Sequence, residues 1–204
     1  MQYNAENNTN VKYILVQLPE PLDPNKNEQA TAAEFCKKLD KPLNIAELTK
    51  ERLRRAGNKI KSDFPDVDTG FRVFKLDSSN IKKWQTVQNE QDFERNLDNT
   101  ENPIVDSRSD EDVFWEIAFA MGIEGNAEIC QKVDGKCKVL HTGKDELFVF
   151  FGIIENVDVC EIIKDKKDSH IVFIDSVFKN DCVKQNVINT LKQNKFDTSR
   201  IKFI

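Results

Sequence analysis

The run Tyr13-Ile14-Leu15-Val16-Gln17-Leu18, stopped by Pro19 and Pro21, constrains the fold of this chain more than any other stretch. It is a nearly continuous series of apolar strand formers, broken only by Gln17. Such a run reads as a strand buried on both faces, as in a parallel sheet, with a tip that opens into a loop. In open α/β sheets ligands sit at tips of this kind. A doubly buried strand needs neighbours on both sides, and little sequence precedes residue 13. The expectation is a part of something larger.

The 204 residues suffice for one large domain or two small ones with a sizeable core. Hydrophobic residues at 39% against 32% charged argue for a folded chain rather than a disordered one. A net charge of −5 gives no global field toward nucleic acid or membrane, so any DNA contact must come from a local patch or a partner. The five cysteines (Cys36, Cys130, Cys137, Cys160, Cys182) are scattered, form no Cys-x-x-Cys pair and are accompanied by only His141 and His170. Reduced core thiols in a cytoplasmic protein fit that pattern better than a disulfide framework or a zinc site. Residues 1–10 are polar and rich in Asn, unlike a signal peptide, and the longest apolar run, 147–154, is too short to span a bilayer, so no membrane partner is expected.

Beyond the strand expected at 12–18, the pattern predicts a helix over 28–39 and a second over 45–61. Asn44 with Glu47 resembles a capping box for the second. That helix carries Lys50, Arg52, Arg54, Arg55, Lys59 and Lys61, the most basic stretch of an acidic chain. Two readings stay open for it, a solvated face or a ridge for phosphate, nucleic acid or a salt-bridged subunit. Residues 70–76 alternate as a strand ending in Asp77-Ser78-Ser79-Asn80, which can hydrogen-bond at a strand tip or cap a helix. Residues 85–108 are polar and weakly periodic, a loose helix plus linker and the expected domain boundary. Ser109 with Asp112 starts another capped helix to Met121, with Gly122 as C-cap. Asp134-Gly135 signals a hairpin. Strands are expected at 147–151, 171–174 and 201–204, with a short helix at 157–164 and a longer one at 181–194. Residues 109–204 therefore read as a small mixed α/β unit.

The chain contains no glycine-rich turn after a strand, no Gly-x-Ser-x-Gly elbow and no His at a known spacing from a nucleophile. Asp175 at a strand end is expected to serve a turn or helix cap. Trp84 and Trp115 read as core or interface anchors.

Several long segments resemble the methyltransferase (Mod) subunit of type III restriction–modification systems. They are Tyr3-Asn4-Ala5-Glu6 with Lys12 to Pro21, Ile45 to Gly57 (Ile-Ala-Glu-Leu-Thr-Lys-Glu-Arg-Leu-Arg-Arg-Ala-Gly), Asp68 to Asn80 (Asp-Thr-Gly-Phe-Arg-Val-Phe-Lys-Leu-Asp-Ser-Ser-Asn), and Asp175 to Asn186. That family transfers a methyl group from S-adenosyl-L-methionine (AdoMet) to adenine N6 of a base flipped out of DNA. A DPPY-type loop holds the adenine and a Phe-x-Gly-x-Gly turn cradles AdoMet. Neither motif occurs here; Asn102-Pro103-Ile104-Val105 is the nearest approach to the first. The resemblance implies the C-terminal part of such a subunit, following its glycine turn. Related adenine methyltransferases end the next strand with an acid that binds the AdoMet ribose. Gln17 stands at that position, with Glu20 three residues on, and Gln keeps hydrogen bonding without charge. Asp77 to Asn80 matches a place where an adenine-ring contact could form.

The expected fold class is thus α/β: the incomplete end of a Rossmann-like AdoMet methyltransferase sheet over 1–84, a linker over 85–108 and a small mixed α/β C-terminal domain over 109–204. The implied cofactor-binding residues are Gln17 and Glu20, and the candidate DNA-binding residues are Lys50, Arg52, Arg54 and Arg55. The implied partners are DNA through the full subunit, a second Mod subunit and the restriction (Res) subunit. No catalytic residue is expected in this chain.

Overall fold

The computed structural model describes residues 1–204, apart from the side chain of Glu101. The chain divides into two compact units, Met1–Phe71 and Arg72–Ile204.

The first unit holds α1 (Gln2–Asn7), α2 (Asn27–Lys38) and α3 (Ile45–Asp63). Helix α3 starts where the sequence signals it: the Asn44 side chain accepts the Glu47 N–H at 2.9 Å. The turns flanking α2 are stitched together, with Leu22 N donating to Leu43 O at 2.8 Å and Ile45 N to Glu20 O at 3.1 Å. The core is small. Leu22, Ala33 and Cys36 are buried, and Ala32, Leu43, Ile45 and Leu48 pack around them.

The strand expected at 12–18 does not form. These residues take no strand pairing and are all exposed, Ile14 and Val16 at 91%. Residues 70–76, also expected as a strand, lack a ladder as well, and Leu76 is fully exposed. The cause is shared: strand propensity needs a neighbouring strand to complete its backbone ladder, and among the described residues no strand pairs with either segment.

The second unit is mixed α/β. It holds α4 (Glu90–Glu101), α5 (Asp110–Ala120), α6 (Asp181–Gln193) and strands β1 (Ile129–Asp134), β2 (Cys137–Thr142), β3 (Leu147–Gly152), β4 (His170–Phe173) and β5 (Ile201–Phe203). They form one five-stranded sheet in chain order. β1, β2 and β3 pair antiparallel; β3, β4 and β5 pair parallel. The return from β4 to β5 runs through α6, as a parallel pair requires. The short helix expected at 157–164 is a 3-10 turn, Val157–Ile163, against which α6 packs.

The β1–β2 hairpin forms, but Asp134 pairs with Cys137, so the loop residues are Gly135 and Lys136. Gly135 takes the positive φ of 57° that this turn demands. Gly152 ends β3 at φ 80°, where an added Cβ would lie 2.2 Å from Lys136 O.

Strands β3 and β4 are buried along nearly their whole length, the continuous apolar pattern of central strands. Phe150 and Phe173 stack at 4.6 Å between ring centroids. Helix α5 places Val113, Phe114, Trp115, Ile117 and Ala118 in this core and packs on β3. Its start is a complete capping box between Ser109 and Asp112, as the sequence predicts.

Candidate functional site

At the tip of the exposed run, Gln17 Nε2 donates only to the neighbouring Leu18 O at 3.1 Å. Both Gln17 and Glu20 are exposed. Their polar atoms can serve a hydroxyl, but two solvent-facing side chains do not make a cradle for AdoMet.

The basic face of α3 is partly neutralised by its own glutamates. Lys50 pairs with Glu47 at 2.5 Å, and both side chains are largely shielded. Arg55 pairs with Glu51 at 2.8 Å, and Arg54 lies 3.7 Å from the same carboxylate. The Arg55 hydrogen bond, aided by the charges of Arg55 and Arg54, holds the Glu51 carboxyl below its usual range. Arg55 also lies 4.8 Å over the Phe35 ring. Arg52 and Lys59 are exposed and form no ion pair among the described residues. Lys50, named from sequence as a DNA ligand, is thus the least available of the set, while Lys59 is among the freest. Helical spacing carries that signal: each Glu lies three or four residues from the bases it neutralises.

The polar tetrad at 77–80 is committed to structure within the second unit. Glu116 of α5 accepts from Ser79 Oγ at 2.6 Å, Asn80 N at 2.7 Å and Asn80 Nδ2 at 2.6 Å. Arg108 donates to Asp77 Oδ2 at 2.9 Å and to Ser78 Oγ at 2.8 Å. Burial pushes the Glu116 carboxyl upward, but the bonds from Ser79 and Asn80, with Lys83 nearby, outweigh it and hold the group below its usual value. At the other end of this strap Arg72 donates to Gly125 O and Ala127 O at 3.0 and 2.7 Å and lies 4.8 Å over Trp115. These groups are therefore occupied rather than presented to a base. Sequence alone gave no warning, because Glu116 and Arg108 lie about thirty residues away or more.

Two other clusters bear on chemistry. His141 Nδ1 is 2.9 Å from Asp145 Oδ1 and 3.0 Å from Thr142 O, so Nδ1 carries the proton between two acceptors. Asp145 also binds Lys166 at 2.6 Å, and the His141 ring stacks on Phe148. A groove of about 410 Å³ lies beside Ser109, Asp110, Glu111, Gln131 and Lys138, where Lys138 binds Asp110 at 2.7 Å. Asp110, Glu111 and Asp112 already meet the positive end of α5, which disfavours an anion there. Asp175 opens a 3-10 turn, Asp175–Val177, but its carboxylate caps no helix and instead pairs with Lys184 of α6. No group of His, Cys, Asp and Glu suited to a metal occurs among the described residues. No helix there is long and apolar enough to cross a membrane.

No family model matches this chain, and neither does any curated protein or solved structure.

Proposed function

We propose that this chain is the C-terminal part of a type III restriction–modification DNA methyltransferase subunit, one that methylates adenine N6 with AdoMet only when joined to the part bearing the DPPY-type loop and glycine turn. In this reading residues 1–84 belong to a Rossmann-like AdoMet sheet, and Gln17 and Glu20 face the cofactor ribose once that sheet is complete.

One observation carries the reading: residues 13–18 have a strand's sequence, yet stand exposed and unpaired beside a core of only Leu22, Ala33 and Cys36. Burying Ile14, Val16 and Leu18 contributes roughly 5–8 kcal/mol before ordering entropy is subtracted. A chain that leaves that much unburied gains by inserting the segment into a sheet with an open place. The order and content of the resembling segments point to a methyltransferase sheet as that host.

The experiment is methyl transfer from labelled AdoMet to DNA. The purified chain is expected to transfer none. Activity is expected when a polypeptide carrying a family glycine turn and DPPY-type loop is supplied, and to fall when Ile14 and Val16 become Asp. Incorporation by this chain alone, or a complementing half whose activity ignores the Asp substitutions, overturns the proposal.

A further inference from the structure

The sheet of the second unit ends on an open edge at β1. Its pairing with β2 runs without a bulge from Ile129 opposite Thr142 to Asp134 opposite Cys137. One step earlier, Gly143 N donates to Glu128 O at 2.9 Å. Antiparallel ladders alternate bonded and non-bonded pairs, so residues 130, 132 and 134 turn their N–H and C=O toward β2. The N–H and C=O of Ile129, Gln131 and Val133 therefore face away from the sheet, and no hydrogen bond engages them among the described residues. Proteins ordinarily blunt such an edge with a proline, a bulge or an outward lysine. β1 has no proline and no bulge; its lysine, Lys132, lies 5.8 Å over the Phe148 ring, and Val133 stands 63% exposed.

The edge adjoins the groove beside α5. Side chains alternate across a strand, so Ile129 and Gln131 share the face of Leu140 and Lys138. These four line the groove of about 410 Å³, with Asp110 and Glu111 on its other side. Lys138 is taken by Asp110 at 2.7 Å. Glu111 is exposed and forms no ion pair among the described residues. Apolar Ile129 and Leu140 beside a free carboxylate suit the stem and the head of an arginine or lysine.

We propose that β1 takes up an extended segment of a partner protein as a sixth strand, with an arginine or lysine of that segment lying over Ile129 and Leu140 and its charge on Glu111. Main-chain bonds to residues 129, 131 and 133 hold the segment, and the groove selects its side chain. A second copy of β1 does not fit this place: paired antiparallel, it brings Ile129, Gln131 and Val133 to the same face and no base for Glu111. The contact lies within the second unit and does not depend on the methyltransferase reading.

The test uses the full chain and a fluorescein-labelled decapeptide of alternating threonine and valine with one central arginine, read by anisotropy and by amide hydrogen exchange. Saturable binding below roughly 1 mM is expected, with slowed exchange at the Ile129, Gln131 and Val133 amides. Glutamate in place of the peptide's arginine is expected to weaken binding about tenfold, and Glu111→Lys to reverse that preference. Gln131→Pro removes an outward N–H where an edge strand tolerates proline, and is expected to weaken binding about tenfold with an unchanged far-UV circular dichroism spectrum. Of two peptides N-methylated at alternate residues, the one that loses the donors facing β1 is expected to fail and the other to bind, a test of the ladder that leaves the protein unaltered. No binding up to roughly 1 mM overturns the proposal. So does equal binding of the two methylated peptides, an arginine peptide no tighter than its glutamate counterpart, or exchange that slows elsewhere than at β1.

Discussion

Replacing Glu116 probes the clasp that ties the 77–80 tetrad to α5. One carboxylate accepts three short hydrogen bonds there, from Ser79 Oγ, Asn80 N and Asn80 Nδ2. A hydrogen bond to a charged group contributes about 1.5–3 kcal/mol, and bonds that share an acceptor do not add fully. Glu116→Ala is therefore expected to cost roughly 2–4 kcal/mol, a drop in Tm of roughly 5–15 °C for a unit of this size. Glu116→Gln keeps the shape but turns one oxygen into an amide nitrogen that faces a donor, so it is expected to lose about half as much. Denaturant unfolding followed by tryptophan fluorescence measures the global effect. Hydrogen exchange at the Asn80 amide measures local opening of the strap, which is expected to become at least tenfold easier. The pH dependence has a fixed sign. The folded-state pKa of Glu116 is depressed, so its stabilisation is present above the unfolded value and is lost as pH falls through the folded one. The difference between wild type and Glu116→Gln should therefore shrink on acidification. Unchanged stability and unchanged Asn80 protection in Glu116→Ala would refute the assignment of the clasp.

Asp145→Asn tests the tie among His141, Asp145 and Lys166; Asn tolerates the φ of 57° there, so the substitution isolates the charge. The Lys166 hydrogen bond and charge, with His141 and Lys132, hold the Asp145 carboxyl below its usual range. The variant is expected to lose about 1–2 kcal/mol at neutral pH by urea midpoint, and less as pH falls through that depressed value. Gly152→Ala places a Cβ against Lys136 O and forces a positive φ on alanine, so a loss of roughly 2–5 kcal/mol or insoluble expression is expected. Burial, first, and nearby carboxylates push the Cys137 and Cys160 thiols up to about 11, whereas Cys182 is exposed. Iodoacetamide at mildly alkaline pH is expected to label Cys182 in the native protein and spare the other two, as read by peptide mass spectrometry.

Features whose cause is local could be read in advance. The side chains of Asn44 and Ser109 accept amide N–H groups three residues on, so the starts of α3 and α5 follow from short sequence windows. The apolar runs of β3 and β4 follow equally, because burial on both faces demands an unbroken pattern. The hairpin was legible to within one residue; strand register, set by packing across the whole sheet, moved the loop to Gly135 and Lys136.

Features whose cause lies elsewhere in the chain could not. Residues 13–18 and 70–76 have the composition of strands, but a strand exists only when another supplies its hydrogen bonds, and composition does not say whether one is there. The same holds for charge. The sequence alone determined that α3 is basic and that residues 77–80 are polar. Tertiary structure decided that Glu116 and Arg108 consume the tetrad, and helix geometry decided that Glu47 and Glu51 engage Lys50, Arg54 and Arg55. What a polar side chain is free to do depends on which partners the fold brings within about 3 Å of it: on α3 those partners are sequence neighbours at helical spacing, whereas for the 77–80 tetrad they are set by packing across some thirty residues or more.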